Sequence, residues 1–186
     1  MSTPTEPPVF TIEGERIALG PLRRELIPLQ ARWRNDFATQ RTYGEPFGYE
    51  PVTLEQRQAA YQRAATESDA HWFIIYVRAT NRPIGQTDLF DIDWRSGSAR
   101  FGMMIGEPDE RGKGYGTEVT RLLRDYAFTT LGLRSLLLTV AEYNLAGRRA
   151  YEKAGYRECG RQPRFTWMDG RWWDEIFMEC LAAPAR

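Results

Sequence analysis

Three glycines at alternate positions lie in the run Arg111-Gly112-Lys113-Gly114-Tyr115-Gly116-Thr117, and no other stretch limits the fold as tightly. Ahead of it, Ala99 to Gly106 reads as a strand. Behind it, Val119, Leu122, Leu123, Tyr126, Ala127 and Leu131 recur as one helical stripe, with Gly132 as a C-terminal stop. The run Leu136-Leu137-Leu138-Thr139-Val140 then reads as a buried strand, so strand, helix and strand imply a parallel pair joined by a right-handed crossover. Alternate glycines let backbone approach a ligand and turn several N–H groups the same way, while the helix N-terminus adds positive partial charge. The loop reads as a pyrophosphate cradle. A ligand-free turn would need one such glycine, not three.

Spacing excludes two other phosphate binders. A P-loop requires glycine where Glu107 stands and Ser or Thr where Gly114 stands. The dinucleotide fingerprint fails because Gly112-x-Gly114 is followed by Thr117, and no acidic residue lies near the ~20-residue offset that would hold a ribose. Nucleotide hydrolysis and hydride transfer are therefore not expected.

Around this unit, Glu15 to Leu19 reads as a strand closed by Gly20-Pro21. Leu22, Leu26, Leu29, Trp33 and Phe37 keep helical spacing, with Pro28 as the first residue of a helix ending near Asp36. Thr53 and Gln56 form a capping-box pattern for a helix to about Ala65. Between these two helices, Tyr43 to Tyr49 reads as an aromatic loop. Trp72 to Ala79, Ile84 to Ile92 and Ala99 to Gly106 form an antiparallel meander with short turns. A short helix from Asn144 ends before Gly155, and Arg164 to Trp167, Asp169-Gly170 and Arg171 to Leu181 form a strand, turn and strand.

With 186 residues and about 150 per domain, one domain over 11–182 is expected, with a flexible tail at 1–10 and a short one at 183–186. Lys+Arg 25 against Asp+Glu 25 removes the uniform field of a nucleic-acid or acidic-membrane binder, so neither partner is expected. Two cysteines and one histidine nearly exclude Cys/His zinc sites. Cys159 and Cys180 read as reduced thiols rather than a redox pair, and His71, opening an apolar run, as structural or at a rim rather than catalytic. Met1 to Pro8 has no apolar signal core, and no apolar run approaches the ~18 residues of a span. A cytoplasmic protein is the expectation.

Arg111 to Gly116 resembles the pyrophosphate loop R/Q-x-x-G-x-G/A of the GNAT superfamily of acyl-CoA-dependent N-acetyltransferases. Asn144-Leu145-Ala146-Gly147-Arg148-Arg149-Ala150-Tyr151-Glu152-Lys153-Ala154-Gly155-Tyr156 resembles that family's N-x-x-A/S-x-x-x-Y-x-K-x-G-F/Y segment. The resemblance runs from Ile12 to Leu181. Trp33-Arg34-Asn35-Asp36 and the Asp169-Gly170-Arg171 hairpin are similar to the branch of ribosomal-protein N-terminal and spermidine acetyltransferases. It implies an α/β (α+β) fold, a mixed and mostly antiparallel twisted sheet with a splayed parallel strand pair and about four flanking helices.

The resemblance also implies roles. Acetyl-CoA would be the acetyl donor, with no metal. It would be held by Met103, Met104 and Ile105 through strand-like bonds, by Arg111, Gly112, Lys113, Gly114, Tyr115, Gly116 and Thr117 at its pyrophosphate, and by Asn144 and Gly147 on the short helix. Tyr151, on the same helix face as Asn144 and Gly147, would protonate the departing thiolate after direct attack of a neutral amine. Its other reading is packing under the helix. Gly147 replaces the family's usual Ser or Ala.

Many relatives carry a base where Arg100 stands here, which leaves Asp88, Asp91, Glu142, Asp174, Glu175 or a water relay. Asp88, Trp173, Asp174 and Glu175 are the candidate acceptor contacts, because each face of the last strand carries one indole and one carboxylate that suit a cation. Tyr43, Phe47, Tyr49, Phe165, Trp167, Trp172 and Trp173 are as compatible with core or dimer packing as with an acceptor pocket, and a homodimer stays open. The leading acceptor is a protein N-terminal amine. A small amine, such as a polyamine or amine-bearing antibiotic, and a non-catalytic CoA-binding regulatory module are the alternatives.

Overall fold

The computed structural model describes residues 7–43 and 50–183. Eight strands form one sheet: β1 (Ile12–Glu13), β2 (Ile17–Pro21), β3 (His71–Val77), β4 (Arg82–Asp93), β5 (Ser98–Ile105), β6 (Ser135–Ala141), β7 (Arg157–Met168) and β8 (Arg171–Leu181). Their order is β1-β2-β3-β4-β5-β6-β8-β7, antiparallel except for β5 and β6. Counting β1, the splayed pair expected as fourth and fifth is β5 and β6. These two strands pair only at Ser98↔Ser135, Ala99↔Leu136 and Arg100↔Leu137, after which each continues without the other. A gap therefore opens in the middle of the sheet.

The helices among the described residues are α1 (Ile27–Asn35), α2 (Phe37–Tyr43), α3 (Leu54–Ala64), α4 (Tyr115–Thr129) and α5 (Leu145–Lys153). That is one more than expected, and α2 is the addition. Asp36 leaves the helical region at ψ 113, which ends α1, and its carboxylate then accepts from the Thr39 backbone N–H at 3.0 Å, capping the next helix. The Thr39 hydroxyl, which also donates to this carboxylate, holds Asp36 below the usual carboxylate range, with the Thr39 N–H adding to it. Phe37 consequently lies off the α1 stripe and is exposed. Thr53 and Gln56 form the expected capping box.

Alternation along β3 divides the core. Phe73 and Ile75 face Val119, Leu123 and Ala127 of α4 and Tyr151 of α5, while Ile74 and Tyr76 face Leu26 and the segment leading into α1. The sheet thus separates α4 and α5 from α1.

Three boundaries correct the sequence reading. β2 runs through Gly20 and Pro21, because Pro21 pairs with Phe73 while β1 on the other side reaches only Ala18 and Leu19, so no ladder bond needs the missing proline N–H. β7 begins at Arg157 rather than Arg164. Register shifts at Glu158/Gly160 and Gln162/Thr166 absorb Pro163 and the left-handed Arg164 (φ 54), and so hide the strand's length. The aromatic segment splits: Tyr43 ends α2, and residues 44–49, with Phe47 and Tyr49, lie outside the described residues. In the amino-terminal segment, Phe10 packs on Tyr76 at 5.7 Å and Thr11 donates to Leu19 at 2.7 Å. Residues 1–6 and 184–186 are outside the described set.

Candidate functional site

The loop after β5 gets its shape from backbone torsions. Gly112 (φ 74) and Gly114 (φ 85) occupy the left-handed region, and Gly114 is the cap residue of α4. The first helical bond from this end is Glu118 N–H to the Gly114 carbonyl at 3.3 Å, so the N–H groups of residues 115 to 117 have no intrahelical acceptor. Gly116 serves by its size, since a Cβ there would come within 3.2 Å of the Met103 methyl. The loop is a set of free donors at a helix N-terminus, the geometry that favours phosphate.

Charged side chains brace this loop from behind. Arg111 donates to the Ile105 carbonyl (3.0 Å) and to Thr39 Oγ1, with Asp36 at 3.5 Å, and so ties the loop to the start of α2. Lys113 pairs with Glu110 at 2.7 Å, and its carbonyl accepts from Arg16 at 3.0 Å. Arg82 reaches Glu107 (2.8 Å) and Glu110 (3.1 Å), and Trp33 donates to Glu107 at 2.7 Å. The Arg111 and Lys113 charges, read from sequence as cofactor contacts, are thus engaged by protein groups.

A cleft of about 350 Å³ runs from this loop along the end of β5 that is not paired with β6 and under α5. It brings together Met103, Met104 and Ile105 of β5, Arg111, Gly112, Gly114, Tyr115, Gly116 and Thr117 of the loop, and Asn144, Gly147 and Tyr151 of α5. Lys113 is outside the lining. The sequence reading missed Thr42, Glu110, Ala146, Arg149, Ala150 and Lys153. Ala146, Ala150 and Lys153 follow one face of α5 at spacings of four and three, a signal available in the sequence. Thr42 comes from α2 and carried none.

Asn144 joins the two halves of the molecule. Its Oδ1 accepts from the Gly147 N–H at 2.9 Å, capping α5, and its Nδ2 donates to the Thr42 carbonyl at 2.9 Å. At the inner end of the cleft, Tyr151 packs edge-on against Phe101 with ring centroids 5.9 Å apart. Burial, reinforced by the charge of Asp88, pushes its phenol up to about 12, so it is protonated at neutral pH.

The acceptor candidates fall in different places, and none lines this cleft. Asp88 is 2% exposed on β4 opposite Gly102, where a Cβ would come within 2.8 Å of its carboxylate. Glu175 is 9% exposed on β8 opposite Ala141. Burial raises its pKa, against the opposing effects of a Thr139 hydrogen bond and the Arg100 charge. Asp174 is held by Arg161 (3.0 Å) and the Arg164 N–H (3.0 Å), and Glu142 shares Arg161 at 2.9 Å. Asp91 is exposed at a left-handed kink of β4.

Trp173 lines a separate shallow recess of about 590 Å³, where it lies under Arg171 and edge-on to Tyr143. His71 meets the Tyr126 hydroxyl at 3.1 Å, away from the cleft. Cys159 and Cys180 are free thiols. Among the described residues, no group of three or more His, Cys, Asp or Glu could hold a metal, and no helix is long and apolar enough to cross a membrane.

Residues 16–157 match the family described as the acetyltransferase (GNAT) domain. A probable N-acetyltransferase of Bacillus subtilis is 29% identical over 91% of this chain and 96% of its own length. The spermidine N(1)-acetyltransferase of Vibrio cholerae is 33% identical over 66% of this chain and 69% of its own. A crystal structure of spermidine N-acetyltransferase from Vibrio cholerae in complex with CoA and spermine shares the fold, with a TM-score of 0.80 at 24% identity, covering 90% of this chain and 96% of that one.

Proposed function

The chain belongs to the GNAT acetyltransferase family, and from that premise we propose that it transfers the acetyl group of acetyl-CoA to the primary amine of a small cationic molecule. The carrying observation is the cleft, which has free backbone donors at its loop end and the protonated Tyr151 at its inner end. Acetyl-CoA fits this donor set. Residues 112 to 117 would hold its diphosphate, and Met103 to Ile105, the part of β5 not paired with β6, would lie along its amide-bearing arm. When bound it supplies an activated thioester. Tyr151 holds the proton that the leaving sulfur requires.

The sequence reading put a protein N-terminal amine first. The 33% identity to a spermidine acetyltransferase supports the small-amine alternative instead. Asp88 on β4 and Glu175 on β8, buried carboxylates on the strands next to β5 and β6, would add negative charge beside the gap without lining the cleft. Water relayed to bulk would take the proton of the attacking amine. Turnover of acetyl-CoA against polyamines, amine-bearing antibiotics and peptides with free N-termini tests this. Polyamines are expected to give the highest kcat/KM. Preference for peptide N-termini overturns the acceptor, and no turnover with any amine overturns the catalytic reading.

A further inference from the structure

The cleft has a cationic pair that the reading above leaves without a role. Arg149 and Lys153 are exposed, lie four residues apart on α5 and both line the cleft. Among the described residues, neither side chain forms a hydrogen bond or ion pair, in contrast to the other charged groups of the same lining. Arg111 is bonded to Thr39 and Ile105, and Glu110 is shared by Lys113 and Arg82. A third cation adjoins them, because Arg121 of α4 donates to the Lys153 carbonyl at 2.8 Å.

The distance to the diphosphate cradle is short. A Cβ on Gly116 would lie 3.9 Å from the Ala150 Cβ. Arg149 and Lys153 lie within one helical turn of Ala150 on α5 and share the cleft lining with the loop residues. In CoA a single ribose separates the 5′-diphosphate from a 3′-phosphate, a dianionic group near neutral pH. We propose that Arg149 and Lys153 form the subsite for this 3′-phosphate, and that they select CoA over otherwise identical thiols lacking it. Two cations bound to one phosphate form charge-assisted hydrogen bonds, stronger than neutral ones. This rests on the acetyl-CoA reading above.

Calorimetry on the full chain with CoA and with 3′-dephospho-CoA, which differ by that phosphate alone, tests the subsite. The wild-type protein is expected to bind CoA at least about tenfold more tightly, about 1.4 kcal/mol, with the preference shrinking in high salt. In the Arg149→Gln/Lys153→Gln variant, CoA affinity should fall to that of 3′-dephospho-CoA, whose own Kd stays put and reports an intact cradle. Equal Kd values for both ligands in the wild type overturn the subsite alone, as does a preference that survives the double substitution. If the double variant does not fold, the wild-type ratio and the two single variants decide. Failure of the wild type to bind either ligand overturns the donor reading and the subsite together.

Discussion

The glycine loop at 111–117 and the closing hairpin at 157–181 flank opposite sides of the β5–β6 gap and are built by opposite means. In the loop, two left-handed glycines and a helix start aim backbone N–H groups outward, and charged side chains brace it from behind. In the hairpin, charged side chains engage one another. Arg161 takes Glu142, Asp174 and Glu158, and Trp173 is pressed between Arg171 and Tyr143. Helices α3 and α5 have their N-terminal donors capped by a side chain, but the cap residue of α4 is Gly114, which has none, so this site stays open. A carboxylate beside an arginine is open only if nothing nearby claims it.

The largest expected effect tests the inner end of the cleft, where Tyr151 is the proposed acid. Tyr151→Phe keeps the Phe101 contact and removes the proton, so kcat should fall about 10²-fold or more while CoA binding is nearly unchanged. Wild-type turnover, with chemistry limiting, would return Tyr151 to packing. The same side chain also predicts a pH effect on stability. Its folded pKa is raised to about 12, so its contribution is complete below pH 10 and is lost as pH rises from about 10 to about 12, where the unfolded chain ionises first. Thermal unfolding of the Phe variant should therefore decline less steeply over that window.

Next in size is Gly114→Asp. Aspartate tolerates the left-handed region better than most residues, and Arg16 lies 3.4 Å from the added Cβ, so the fold should survive. A negative charge at the donors should weaken CoA at least about tenfold by calorimetry. Undiminished affinity would break the comparison at its stronger side.

The two hairpin carboxylates give the smaller effects and separate its residues. Glu175→Gln should raise the acceptor KM several-fold, about threefold to tenfold, and flatten its salt dependence without altering the acetyl-CoA KM. Asp174→Asn, at a carboxylate already held by Arg161 and the Arg164 N–H, should leave the acceptor KM within about twofold. Equal responses at the two positions would show that the pairing around Arg161 does not govern access.

Backbone demands explain why the donor end of the site could be read from residues alone. Left-handed torsions at 112 and 114 call for glycine, a stripe of period 3.6 calls for α4, and Asn144, Gly147 and Tyr151 share a helix face at fixed offsets. The parallel β5–β6 pair followed from the helix between its strands. These are local rules, written within a turn or a few residues of where they act.

Helix α2 follows from a local cap between Asp36 and Thr39, whereas the full length of β7 and the partners of the carboxylates were settled by pairing across strands. Asp36 ends one helix and caps another, and it also meets Arg111, 75 residues away. Thr42 reaches the cleft through Asn144, 102 residues away. Asp174 and Glu175 are neighbours in sequence, but strand alternation sends them to opposite faces, one to Arg161 and the other to the buried side with Thr139 and Arg100. Charge pairing is set by which groups the sheet brings within reach, a property of register and packing that no short segment encodes.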